Sequence, residues 1–208
     1  VFEDRRQAKK DENIRMILNT CEDLMYNQKI KFENISMNQL ASESGFTKRT
    51  LYQYFINKEE ILFHLMVRAY NHMIKFLEEY KLSNQNENEL VLIGNGFYEY
   101  SQEYSNYFWV IMDYENQDRD FTEASDIVLE CYRLGQVVMS FIQDAIKKSN
   151  DIYNTDQNLL NEITIFIWSS CVGIFNTMRL KKEYIVEYFK IEEKDFILNS
   201  LKRLARLI

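Results

Sequence analysis

From residue 8 to about residue 27, apolar side chains recur three and four positions apart, at Ile14, Ile17, Leu18, Cys21, Leu24 and Met25. That spacing lines one face of a helix. A polar connector, residues 28–34, follows. Ser36 then stands three positions before Gln39, a capping-box spacing that opens a short helix reaching about Glu43. Gly45 suits its end, and Thr47 can cap a second short helix over about residues 48–55. The clearest pattern comes next: Ile61, Leu62, Leu65, Met66, Ala69, Tyr70, Met73, Ile74 and Leu77 predict one long helix joining head to body.

After a polar break at residues 82–88, the pattern predicts helices near 89–104 and 105–115, then a polar loop at 116–120. A long helix starts at Thr122 and Glu123 and runs to about Lys148, and a second polar loop covers residues 149–156. The following helix is apolar almost all round between Ile163 and Phe175, which predicts burial on more than one side. Ile197, Leu201, Leu204 and Ile208 mark a last helix. Proline is absent and glycine occurs five times, a composition that suits long helices and poorly suits turn-rich sheets. We therefore expect an all-α protein of about nine helices: a three-helix head over residues 1–57 and a helical body over 58–208.

Charge narrows the function classes. Residues 1–60 hold ten Lys and Arg against ten Asp and Glu, so the net charge of −7 lies entirely in the body. An acidic body repels nucleic acid, and any such contact belongs to the head. Arg5, Arg6, Lys9 and Lys10 could form a basic arm, but Asp4, Asp11 and Glu12 dilute them, and the segment reads as a solvated terminus. Cys21, Cys131 and Cys171 have no pairing or metal-ligand spacing and read as core residues of a reducing compartment. His64 and His72 are too far apart along one helix to chelate a metal together. The apolar run from Ile163 to Phe175 is too short to span a bilayer, and the start of the chain has no export pattern. No nucleophile–base pair, phosphate loop or cofactor motif appears. A cytoplasmic, non-enzymatic protein without cofactor is the expectation.

The informative stretch is Ile35 to Leu62. A capped short helix, a tight turn at Gly45 and a second short helix form a helix-turn-helix, whose second helix can enter the major groove. Leu40, Ala41, Phe46, Leu51 and Phe55 face inward in this reading. Thr47, Lys48, Arg49, Thr50, Tyr52, Gln53 and Tyr54 remain outward, with no acid from Thr47 to Lys58. Arg and Lys address guanine, Gln addresses adenine, and hydroxyls suit phosphate oxygens. The same spacing also describes an ordinary helical hairpin with a solvated face.

This stretch closely resembles the tetracycline-repressor (TetR) family of bacterial regulators. The resemblance rests on the helix start from Ser36 to Ala41, the turn Gly45-Phe46-Thr47, Leu51-Tyr52-Gln53-Tyr54-Phe55, and Lys58-Glu59-Glu60-Ile61-Leu62, and it covers about residues 8–75. It implies that Lys48, Arg49 and Gln53 read bases, while Ser36, Thr47, Thr50, Tyr52, Tyr54 and Lys58 hold the DNA backbone. Two departures stand out. Arg49 replaces a common glycine, and the glycine usual after the first helix is missing between Asn27 and Phe32.

The resemblance further implies a homodimer formed by the last two long helices, a small-molecule effector and a palindromic operator in double-stranded DNA. The apolar helix around Trp168, Gly173 and Phe175 supports a dimer, and burial within one chain is its alternative. The aromatic segment Phe97 to Tyr114 suggests a pocket for an apolar or aromatic effector, with Phe97, Tyr100, Phe108, Trp109, Met112, Tyr132, Trp168 and Phe175 as candidate contacts, though such residues also build plain cores. The leading function is a ligand-released repressor. Its rival is a TetR-like adaptor that binds a metabolite or partner protein without reading DNA.

Overall fold

The computed structural model describes residues 2–84, 88–112 and 125–208, and these form ten α-helices with no strand. They are α1 (Phe2–Tyr26), α2 (Met37–Ser44), α3 (Lys48–Tyr54), α4 (Lys58–Ser83), α5 (Glu89–Glu103), α6 (Ser105–Met112), α7 (Asp126–Ser149), α8 (Ile152–Thr155), α9 (Gln157–Phe189) and α10 (Glu193–Leu204). The loop expected at 116–120 and the helix start expected at Thr122 and Glu123 lie outside the described residues. The short α8 occupies part of the expected loop at 149–156, and α1 starts six residues earlier than its apolar pattern, at Phe2.

Two compact units arise, one from residues 1–68 and 119–131, the other from residues 69–118 and 132–208. The first is built around Ile17, Cys21 and Leu24 of α1, Leu40 and Ala41 of α2, Leu51 of α3, then Phe55, Ile61 and Leu65, all buried. Each such aliphatic side chain contributes about 1.5–3 kcal/mol on leaving water. The connector with the missing glycine finds its own solution. Lys29 takes a left-handed φ of 56°, which lets Ile30 N–H reach back to the Leu24 carbonyl at 3.0 Å and close α1. The Asp23 side chain holds the same corner by accepting from Asn27 Nδ2 at 2.6 Å and Gln28 Nε2 at 3.2 Å.

Arg68 of α4 clasps α1. Its guanidinium donates to Asn19 Oδ1 at 2.8 Å, Glu22 Oε2 at 3.1 Å and the Arg15 carbonyl at 3.3 Å.

In the second unit the helix buried all round is α5, not α9. Leu90 to Ile93, Phe97, Tyr98 and Tyr100 are all buried, because α5 packs against α6, α9 and α10. Helix α9 instead buries a single seam, Leu160, Thr164, Ile167, Cys171, Phe175 and Met178. Its other face leaves Ile165 66%, Phe166 46% and Leu180 63% exposed. The expectation of burial on more than one side therefore fails within one chain. Hydropathy registers how apolar a helix is, not what covers it. At 33 residues α9 also outruns its apolar core and is long and apolar enough, by length and composition alone, to cross a bilayer. Tyr98, Glu193 and Lys182 tie α5, α10 and α9 together: Lys182 Nζ lies 2.6 Å from Glu193 Oε2, and burial, then the Glu193 hydrogen bond, pushes the Tyr98 phenol up. The three cysteines are buried free thiols, each pushed up to about 12 chiefly by burial.

Candidate nucleic-acid interface and the aromatic body

The head's outward face is set by two caps and a turn. Ser36 Oγ accepts from Gln39 N–H at 3.0 Å and starts α2. Gly45 ends it at φ 73° and ψ 18°, and Phe46 N–H closes onto the Ala41 carbonyl at 2.9 Å. Thr47 then caps α3, its Oγ1 accepting from Thr50 N–H at 3.1 Å and sharing a hydrogen bond of 2.8 Å with Thr50 Oγ1. Leu51 is fully buried and Phe55 nearly so, which fixes the roll of α3 about its axis. The helical repeat then leaves Thr47, Lys48, Arg49, Tyr52 and Gln53 exposed on one face, with Thr50 at its edge. Lys48 Nζ sits 6.0 Å from the Tyr52 ring centroid. Ser36 is exposed at the start of α2.

Beyond the caps, Tyr54 and Lys58 reach across to other parts of the head. The Tyr54 ring packs on the core, and its hydroxyl accepts from Asn13 Nδ2 of α1 at 2.8 Å. Lys58 Nζ donates to the Glu33 carbonyl at 2.8 Å and lies 4.6 Å from the Phe32 ring centroid. Partial burial lowers the Lys58 pKa, with Cys21 and Glu33 opposing. Lys58 thus pins the connector ahead of α2, a role its sequence position did not suggest. Asn13 and Arg68 were also missed. Each is one polar residue in an amphipathic helix and carries no motif.

The body's predicted contacts fall into two groups. Phe97 meets Trp168 edge to face at 5.3 Å between centroids, and Phe108 meets Trp109 at 4.9 Å and Phe175 at 6.2 Å. Tyr100 belongs elsewhere. It is buried among Phe76, Tyr104 and His72, and its hydroxyl lies 3.2 Å from His72 Nδ1. Tyr132 and Met112 are half-buried. Arg179 of α9 stacks 3.5 Å from the Trp109 ring centroid. A cavity of about 10 Å³ lies between Phe97, Ile142, Ile167, Cys171 and Leu201. It has apolar walls and room for about one water at most, and Phe97 is its one predicted lining residue. Among the described residues, no cluster of His, Cys, Asp and Glu could hold a metal ion.

Residues 32–65 match the family model of bacterial regulatory proteins of the tetR family. The chain as a whole has the fold of TetR-family transcriptional regulators. It is similar to the transcriptional regulator FadR of Bacillus subtilis, solved in complex with stearoyl-CoA, at 13% identity and a TM-score of 0.64 over 93% of this chain and 98% of that one. It is also similar to a TetR-family regulator of Bordetella parapertussis, at 14% identity and a TM-score of 0.57 over 92% and 93%. The TetR-family regulator PfmR of Thermus thermophilus is a third, at 15% identity and a TM-score of 0.55 over 91% and 97%. No curated protein matches the sequence.

Proposed function

We propose that the chain is a sequence-specific DNA-binding regulator acting as a homodimeric repressor, released from a palindromic operator by a small apolar or aromatic effector. The acid-free face of Thr47, Lys48, Arg49, Tyr52 and Gln53 carries this reading, because a rigid, twice-capped hairpin holds both phosphate-binding and base-reading groups on one surface. Arg49 adds a bidentate donor suited to guanine O6 and N7.

The exposed face of α9 supports the dimer. Ile165, Phe166 and Leu180 flank Ser169, Gly173 and Thr177, small residues at steps of four that permit a second α9 to approach closely. Effector binding is supported by the aromatic body and by FadR, which holds stearoyl-CoA. An effector entering the cavity of about 10 Å³ beside Phe97 would have to part the helices around it, so occupancy of that site would favour a different state from the closed one.

A mobility-shift assay with the purified chain and its own upstream DNA tests the reading. A salt-sensitive complex is expected, weakened by Tyr52→Phe and by Lys48→Ala. A parent protein that shifts no duplex would refute it.

A further inference from the structure

Residues 5–12 of α1 stand clear of the head's core. They are all exposed, and the first side chain to reach the core is Ile14. In linear order Arg5, Arg6, Lys9 and Lys10 are interleaved with acids and promise nothing. The helix sorts them. At about 100° per residue, the four cations fall within an arc of about 140°, and Asn13 lies close to its middle. Glu12 borders the arc beside Arg5. Asp11 lies on the opposite side, where Gln7 Nε2 donates to its Oδ1 at 2.8 Å.

Two contacts say which way each side faces. Asn13 Nδ2 donates to Tyr54 Oη of α3 at 2.8 Å, so the basic arc continues along the edge of α1 that meets the recognition helix. Asn19, Glu22 and the Arg15 carbonyl meet Arg68 of α4, and helical phase places Asp11 on that side. Lys9 and Lys10 precede Asn13 by about one turn, roughly 5 Å along the axis, and Arg5 and Arg6 by about two, roughly 11 Å.

We propose that this arc is a phosphate-binding extension of the α3 face, taking the sugar-phosphate backbone of duplex DNA that flanks the half-site read by α3. It rests on the DNA-reading function proposed above. Charge complementarity and continuity with the α3 face through Asn13 and Tyr54 carry it. The head has no net positive charge to attract DNA, so its field comes from how charge is distributed, and the α1 arc gathers four cations with Glu12 at its border. Arginine forks fit phosphate oxygens bidentately, and lysines add mobile point charges.

The test is fluorescence-anisotropy titration of the full chain against a duplex that it selects from a random pool, between about 50 and 200 mM salt. The variants are Arg5, Arg6, Lys9 and Lys10 all changed to Gln, Lys9→Gln alone, and Asp11→Asn on the opposite side. Each phosphate contact contributes about 0.9 to the slope of log K against log salt. The quadruple variant is expected to bind the same sequence at least tenfold more weakly with a slope shallower by several units, and Lys9→Gln to lose about one unit per protomer. Asp11→Asn should stay within about twofold of the parent, and circular dichroism should show an unchanged helix content. A quadruple variant with the parent's slope and affinity would overturn the inference, as would an Asp11→Asn effect as large as that of Lys9→Gln, which would mean that bulk charge alone acts. A parent that binds no duplex defeats the DNA-reading function and this extension together, whereas a parent that binds its duplex while the quadruple variant keeps its slope and affinity defeats this extension alone.

Discussion

Replacing Gly45 by Ala isolates the backbone cost of the turn that orients α3. Gly45 holds φ 73°, and no atom lies within 4 Å of the position its Cβ would take, so the substitution brings no clash. A left-handed L-residue costs roughly 1–2 kcal/mol. Against this, alanine narrows the unfolded ensemble and returns about 0.4–1 kcal/mol. The net loss should be about 1 kcal/mol, a fall in Tm of about 2–4 °C for a chain of this size. Urea unfolding followed by circular dichroism reads the difference, and the m-value should not move. DNA affinity at 25 °C should stay within about threefold, because the caps at Ser36 and Thr47 and the buried Leu51 still fix α3. A loss beyond about 3 kcal/mol would mean that the space around Gly45 is not open. Unchanged stability would mean that the left-handed cap is not held.

Lys29→Gly should act in the opposite sense, relieving the φ of 56° and raising stability by about 0.5 kcal/mol in the same urea assay. Arg68→Ala removes three hydrogen bonds, and with side-chain exposures of 25% for Arg68 and 16% for Glu22 the loss should be about 1–2 kcal/mol; a double-mutant cycle with Glu22→Gln apportions the pair. His64, edge-on to Phe55, has its pKa lowered from 6.5 by burial first, with Arg68 assisting and Glu60 opposing. The unfolded chain therefore binds the proton more readily, and stability should fall as pH drops below about 6.5 towards the depressed folded value, then level off. His64→Phe should flatten the dependence of the urea midpoint on pH in that window. On α9, Ile165→Asp or Phe166→Asp should convert a dimer to a monomer of 25.2 kDa by light scattering, and an unchanged dimer mass would place the interface elsewhere.

The head was legible because its signals are local. Ser36, Gly45 and Thr47 act on neighbours within a few residues, and the caps sit where the spacing put them. Legibility ended where contacts cross between helices. Tyr54 looked outward from its position in α3, yet Asn13, forty-one residues away, holds its hydroxyl. Lys58, read as a DNA contact, also donates to the Glu33 carbonyl, a contact that no spacing announces. In the body, hydropathy marked α9 as the buried helix, but α5 is the one enclosed, and α9's apolar surplus faces outward. Tyr100 and Phe97 lie three positions apart on α5, close enough to suggest one pocket wall. Their side chains nonetheless enter different clusters, because α4 meets α5 at Tyr100 and α9 meets it at Phe97. Arg5, Arg6, Lys9 and Lys10 read as a solvated terminus for a similar reason, since their gathering on one side of α1, away from Asp11, follows only once the helix is known to start at Phe2.

Selection of bound duplexes from a random-sequence pool by the purified chain tests the central claim most directly. The expected result is one enriched motif of two-fold symmetry, its half-sites about one helical turn apart, with guanine preference at a position that Arg49→Gly relaxes. A pool that emerges without enrichment, or enriched equally by the parent and by a protein carrying Lys48→Ala, Tyr52→Phe and Gln53→Ala together, would contradict it.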